Sequence, residues 1–256
     1  MIKIISKDKE KGKLSFITDI SETLANAIRR SALEVPILAI DEVEFFKNDS
    51  ALYDEILAHR LGLIPLITEK TFVEQEKCNC KGKGCIKCSA TLKLSKKGPC
   101  VVYSGDLKGK VKVVENKIPI VILDKDQELE FVATAKLGKG VEHTKFSPGL
   151  IYYRHLAEVK VGKNCDECKK CVEACPKKIL EIEKGKAEIK NIYECDLCEA
   201  CVEACKQHGK NTIEIKKRKE LLFFIESWGQ IKAEEIFIKA ILCLNGNLKE
   251  LEKSIK

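Results

Sequence analysis

Two stretches, "CDECKKCVEACPKKI" from Cys165 and "CDLCEACVEACKQHG" from Cys195, carry the same spacing, C-x2-C-x2-C-x3-C. Few patterns restrict a fold as strongly, because eight sulfurs must be brought to fixed positions around bound metal. Three cysteines two residues apart reach three corners of a cubane, and a fourth thiolate completes the set that a [4Fe–4S] cluster needs. In paired runs of this kind the fourth cysteine of each run ligates the other cluster. One cluster is therefore assigned to Cys165, Cys168, Cys171 and Cys205, and the second to Cys195, Cys198, Cys201 and Cys175. Zinc ligation and free thiols are the competing readings, and two complete runs at one spacing argue against both.

The run from Cys165 ends in Cys175-Pro176, as bacterial-type ferredoxin runs do, whereas Lys206 follows Cys205 in the second run. The departure removes no ligand, and the block predicts a small ferredoxin-like module. The chain holds 14 cysteines in all. Its opening residues, "MIKIISKDKEKGK", lack the apolar core and small-residue cleavage site of a secretory signal. A cytoplasmic location follows as the expectation, and there clustered cysteines bind metal more often than they form disulfides. "CNCKGKGCIKC" places Cys78, Cys80, Cys85 and Cys88 at C-x-C-x4-C-x2-C. Four soft ligands on a short loop suit a closed, structural tetrahedral zinc site, with Gly82 and Gly84 easing the turn. The remaining two, Cys100 and Cys243, read as small core residues.

No apolar run approaches the length of a membrane span, so no membrane partner is expected. At 256 residues the chain can form one large or two to three modest domains. The net charge of +7 comes from lysine dispersed among abundant glutamate, with arginine only at 29, 30, 60, 154 and 218. That is a solvated surface more than a nucleic-acid patch, and no base-stacking aromatic array accompanies it. His59, His143, His155 and His208 are isolated from any nucleophile motif, and Asp124 with Asp126 is too sparse for a magnesium site. No catalytic residue is assigned.

The chain opens with alternation at Ile2 and Ile4, a polar turn, and alternation again at Leu14 and Phe16, which predicts a half-buried hairpin. A helix follows, capped at Asp19 with Glu22 three positions on, sharing Leu24, Ile28 and Ser31 on one face, and stopped by Pro36. Residues 41–144 are richer in β-branched side chains and predict strands preceded by the helix "DEILAHRLGLIPL". Beyond the cysteine block, "ELLFFIESWGQ" reads as strand and turn. Apolar residues from Ile236 to Ile255 then recur at helical spacing to form one long amphipathic helix.

Taken in order, "NAIRR" (26–30), "HRLGLIPL" (59–66), "KFSPGLIYYR" (145–154) and "FFIESWGQIKAEEI" (223–236) resemble the D subunits of archaeal RNA polymerase. That family is the counterpart of the eukaryotic third-largest subunit and of the bacterial α N-terminal domain. Some of its members carry a ferredoxin-like insert, and the loop at 78–88 is similar to the zinc loop of the eukaryotic counterpart. The resemblance implies an α+β fold: an α-subunit-like dimerisation domain, an inserted mixed β-rich domain, and a ferredoxin-like iron–sulfur domain. The dimerisation domain would be discontinuous, over 1–40, 145–162 and 213–256. The inserted second domain would span 41–144, and the iron–sulfur domain 163–212.

The function so implied is non-catalytic: an assembly platform that pairs with the small α-like subunit L and, with subunit N, docks the second-largest subunit. DNA would be met only through the assembled polymerase. Leu24, Ile28, Phe237, Ile241 and Leu244 are the expected apolar pairing contacts, and Arg29 and Arg30 the expected charged ones. The iron–sulfur domain would be structural or would make assembly redox-sensitive. The alternative is a two-cluster electron carrier fused to a substrate-binding domain, but ten lysines offset ten acidic residues over 163–212, unlike the acidic docking surface of many ferredoxins.

Overall fold

The computed structural model describes residues 2–81 and 83–256. Among them twelve strands and five α-helices follow in chain order. These are β1 (Ile2–Asp8), β2 (Lys13–Thr18), α1 (Glu22–Ser31), β3 (Ile37–Asn48), α2 (Asp54–Gly62), β4 (Ser89–Lys97), β5 (Cys100–Tyr103), β6 (Lys108–Gly109) and β7 (Pro119–Leu123). They continue as β8 (Glu128–Gly138), β9 (Gly149–Val161), α3 (Lys170–Ala174), β10 (Leu180–Glu183), β11 (Lys186–Ile189), α4 (Ala200–Gln207), β12 (Ile213–Ser227) and α5 (Ala233–Ile255). No helix among the described residues is long and apolar enough to cross a membrane. The fold is α+β, and its contacts separate into two compact units.

The first unit takes the residues up to Lys7, Ser15–Ala25 and Tyr152–Phe224. Its strands belong to a four-stranded sheet ordered β1-β2-β12-β9. Phe16 stacks on Phe223 at 5.3 Å between ring centroids, and Tyr153 lies at 5.3 Å from the same ring. The opening hairpin forms as the alternation predicts, but only its second strand is half-buried: Phe16 is enclosed, while Ile2 and Ile4 are exposed. β1 is an edge strand bonded to β2 alone, so nothing in its own sheet covers its outer side chains. The helix cap also differs from expectation. Ser21, not Asp19, supplies it, its Oγ accepting from the Leu24 N–H at 3.3 Å. A second apolar cluster in this unit gathers Ala157, Ile179, Leu180, Ala187 and Ile213 around five of the cysteines of the duplicated block.

The second unit takes Asp8–Leu14, Asn26–Ile151 and Ile225–Lys256. It contains an antiparallel sheet ordered β3-β8-β4-β6 and the pair β5-β7. Leu38, Ile40, Leu92, Leu94, Leu129 and Phe131 fill one sheet face, and Leu57 and Leu61 of α2 seal it. Asp41 lies at a register shift between Ile40 and Glu42 on β3. Its carboxylate takes Lys136 and Lys145, each at 2.6 Å. The helix expected to reach Val35 is α-helical only to Ser31 and tightens to a 3-10 turn over Ala32–Glu34. Pro36 lacks the N–H that further helix would need.

The long C-terminal helix begins at Ala233, three residues before the apolar stripe. Its middle rests on the 3-10 turn: Asn247 donates to the Glu34 carboxylate at 2.7 Å, and the Cys243 thiol faces the Glu34 carbonyl at 3.7 Å. Cys243 and Cys100 are only half-buried, so neither is the enclosed core residue that its apolar neighbours in sequence suggest.

Candidate metal centres

The loop between α2 and β4 folds back on itself through short backbone bonds, Lys81 N–H to the Cys78 carbonyl at 3.1 Å and Cys88 N–H to the Cys85 carbonyl at 2.9 Å. Gly84 adopts φ +77°, a left-handed conformation that suits glycine. Gly82, the other glycine of the loop, lies outside the described residues. The turns bring Cys78 to 3.5 Å from Cys85, Cys80 to 3.5 Å from Cys88, and Cys85 to 3.8 Å from Cys88, sulfur to sulfur. A tetrahedron with Zn–S bonds of about 2.3 Å has edges of about 3.8 Å, so the four sulfurs fit one zinc ion. The Lys87 backbone N–H, and then the Cys78 thiol, hold Cys85 down at about 7, while burial pushes Cys88 up. Four sulfurs this close cannot all ionise without a cation between them.

The eight cysteines of the duplicated block are arranged differently. Among the described residues, Cys78, Cys80, Cys85 and Cys88 form the only set of four cysteines whose sulfurs all lie within 4.8 Å of one another. The other eight line two separate cavities. Cys175, Cys195, Cys198 and Cys201 share one with Val159, Ile179, Leu180, Ile189 and Ile215. Cys165, Cys168, Cys171 and Cys205 share the other with Ile182, Thr212 and Ile213. Sulfurs spread around a space of this kind, more widely than in the tight set at Cys78, suit a multi-iron cubane better than a single ion. Each cavity takes three cysteines from one run and the fourth from the other.

The local backbone explains how the loops curl around these spaces. Glu167 and Lys169 in the first run, and Leu197 and Glu199 in the second, all have φ between 59° and 61°. These four sit at equivalent positions, one before and one after the second cysteine of each run. Left-handed backbone costs a non-glycine residue about 1–2 kcal/mol, and no glycine marks it here. The sequence gives no sign of it beyond the repeat itself. α3 and α4 start immediately afterwards; α3 carries Cys171 and ends just before Cys175, while α4 carries both Cys201 and Cys205.

Electrostatics separate the ligands further. Burial, and then the charge of neighbouring thiols, pushes Cys201 up to about 11. Burial likewise raises Cys171 and Cys195. At Cys205 burial raises the thiol too, but hydrogen bonds from Thr212, together with those of the Ile213 and Asn211 backbone, outweigh it and leave the group below its ordinary value. Thr212 meets the Cys205 sulfur twice, through Oγ1 at 3.3 Å and through its backbone N–H at 3.3 Å. Such bonds favour the thiolate that a metal requires.

Residues 156–209 match the family model described as a 4Fe-4S dicluster domain, and residues 43–152 match that of the RNA polymerase Rpb3/RpoA insert domain. The chain is 38% identical to the DNA-directed RNA polymerase subunit Rpo3 of Archaeoglobus fulgidus, over 95% of this chain and 94% of the relative. The chain belongs to the archaeal Rpo3 family. Rpo3 of Methanothermobacter thermautotrophicus is 44% identical over 72% of this chain and 73% of its own, and that of Thermococcus kodakarensis 36% over 95% and 94%. Rpo3 is the subunit also called D, so the resemblance carried by the four short motifs holds, and with it the iron–sulfur module.

Of the residues expected at a pairing surface, Leu24 is 43% exposed, whereas Ile28, one turn further along α1, is buried within this chain, as are Ala25 and Ala32. Arg29 is held by Asn26, which accepts from Nε at 3.2 Å and Nη2 at 2.8 Å, and Arg30 is exposed. Phe237, Ile241 and Leu244 are half-buried along α5. The apolar side chains most exposed on that helix, Ile238, Leu242, Leu248, Leu251 and Ile255, lie outside the expected set.

Proposed function

We propose that the chain is a non-catalytic assembly platform of an archaeal DNA-dependent RNA polymerase in the cytoplasm. It pairs with the α-like subunit L and, together with subunit N, docks the second-largest subunit. DNA is contacted only through the assembled enzyme. The single observation that carries this reading is the apolar stripe of α5. Phe237, Ile241, Leu244, Leu248, Leu251 and Ile255 are spaced alternately four and three residues apart, the period of a helix–helix seam. Exposure rises along it, from half-buried residues at its start to 55% at Leu248, 57% at Leu251 and 77% at Ile255. Asn247 marks the last tether to the 3-10 turn at Glu34. A partner helix is what such a seam fits.

The domain reading accompanies it: a pairing domain over 1–40, 145–162 and 213–256, an inserted domain over 41–144, and an iron–sulfur domain over 163–212. In the last, the two cysteine sets each hold one [4Fe–4S] cluster, and the Cys78 loop holds one structural zinc. The metals contribute by favouring only the folded state, since their ligands are brought together by folding. The clusters thereby stabilise the module and make its integrity sensitive to oxidation.

The test is co-expression with L under anoxic conditions, followed by size-exclusion chromatography of the wild type and of Leu248→Glu/Leu251→Glu. The wild type is expected to elute as a heterodimer. The double variant is expected to lose pairing by at least tenfold in Kd, a change of about 1.4 kcal/mol or more. Its own melting should barely move, because exposed substitutions stay within about 0.5 kcal/mol. A variant that pairs normally, or a wild type that ignores L, would overturn the proposal.

A further inference from the structure

Arg154 lies on β9, at the end of the "KFSPGLIYYR" segment. Its Nη2 donates to the Tyr193 carbonyl at 2.5 Å, across 39 residues of sequence. The guanidinium carbon of the same side chain lies over the Phe224 ring, 4.9 Å from its centroid, and Phe224 stacks in turn on Tyr152 at 4.8 Å. Arg154 Nε is buried with no hydrogen-bond partner. A cation spends such burial poorly unless something nearby needs its charge.

Tyr193 belongs to the 3-10 turn Ile192–Glu194 that delivers Cys195. Within the turn, the Asn191 side chain accepts from the Tyr193 N–H at 3.2 Å and donates to Glu194 at 2.9 Å, while the Cys195 N–H donates to the Ile192 carbonyl at 3.2 Å. These bonds shape the turn but do not tie it to the sheet. The Arg154 bond does.

We infer that Arg154 is a positioning residue for the iron–sulfur site of Cys175, Cys195, Cys198 and Cys201: it pins the Cys195 turn against the sheet and keeps a permanent positive charge behind that turn. The inference rests on the cluster reading given under Proposed function. Arginine suits the task because its planar fork donates at the edge while its face stacks on an aromatic ring, and because it keeps its proton at any accessible pH. Lysine would keep the charge and lose the combination.

The experiment uses the full chain purified anoxically as wild type, Arg154→Gln and Arg154→Lys, with Cys198→Ser and Cys168→Ser as single-site references. Iron and sulfide per chain are measured, together with EPR spectra of the dithionite-reduced proteins. R154Q is expected to hold about half of the wild-type iron and to give the spectrum of C198S, not that of C168S. R154K is expected to fold and to lose iron to a chelator several-fold faster than wild type, again from the C198S-type site alone. Wild-type iron content in R154Q, equal chelation rates in R154K, or loss spread evenly over both sites would each overturn the role. Wild-type protein without iron and sulfide would instead overturn the cluster reading itself, and this inference with it.

Discussion

At the scale of single residues, the ligands stand out in the sequence and their helpers do not. Twelve cysteines announce themselves by spacing, because metal coordination forces a regular arrangement of one residue type. Thr212 carries no such mark. It is one threonine seven residues beyond Cys205, and only the folded backbone turns both its hydroxyl and its N–H toward that sulfur. Hydrogen bonds to ligand sulfurs stabilise the more negative, reduced state of a cluster. Thr212→Val should therefore lower the midpoint potential of the cluster proposed for Cys165, Cys168, Cys171 and Cys205 by on the order of tens of mV, since 59 mV is a tenfold change for one electron. The other cluster should stay where it is. An EPR-monitored redox titration decides it, and an unchanged pair of potentials removes the tuning role.

At the scale of elements, alternation and helical period locate most strands and helices, while irregularities inside them escape. The register shift beside Asp41 is one. It turns a carboxylate toward Lys136 of the neighbouring β8 and toward Lys145 beyond it, linking pieces of chain about a hundred residues apart. Burial raises the Asp41 carboxyl, but the hydrogen bonds and charges of the two lysines together outweigh it and hold the group below the ordinary carboxylate value. The folded state therefore releases the proton more readily than the unfolded chain does. Its stabilisation is fully present above the unfolded value of about 3.9 and fades as pH falls from there through the lower folded value. Asp41→Asn should cost about 1–3 kcal/mol at neutral pH. The gap between variant and wild type should close as pH drops below about 4. Urea melts across that range measure it, and a gap that persists at low pH would show that charge is not the cause. The C-terminal helix shows the opposite balance: its stripe is legible residue by residue, but which part is covered by the chain itself depends on the 3-10 turn at Glu34.

At the scale of the whole molecule, the two units differ in what fills their cores. The second unit packs Leu38, Leu57, Leu92, Leu129 and Phe131 with many others in a continuous apolar cluster. The first unit's second cluster counts Cys171, Cys175, Cys195, Cys201 and Cys205 among its buried members. Stripping iron with a chelator under anoxic conditions should then raise amide exchange over 163–212 while β3, β4 and β8 keep their protection. Uniform loss of protection along the chain would contradict this separation. The sequence by itself determined the family and the α+β class, and it singled out the cysteines proposed to bind metal, because periodicity and ligand spacing are local and survive without a fold. Only the tertiary structure decided which side chains beside the cysteines support them, which non-glycine residues bear left-handed backbone, and which apolar faces remain uncovered. Those depend on segments distant in sequence, as Arg154 and Tyr193 are, meeting across space.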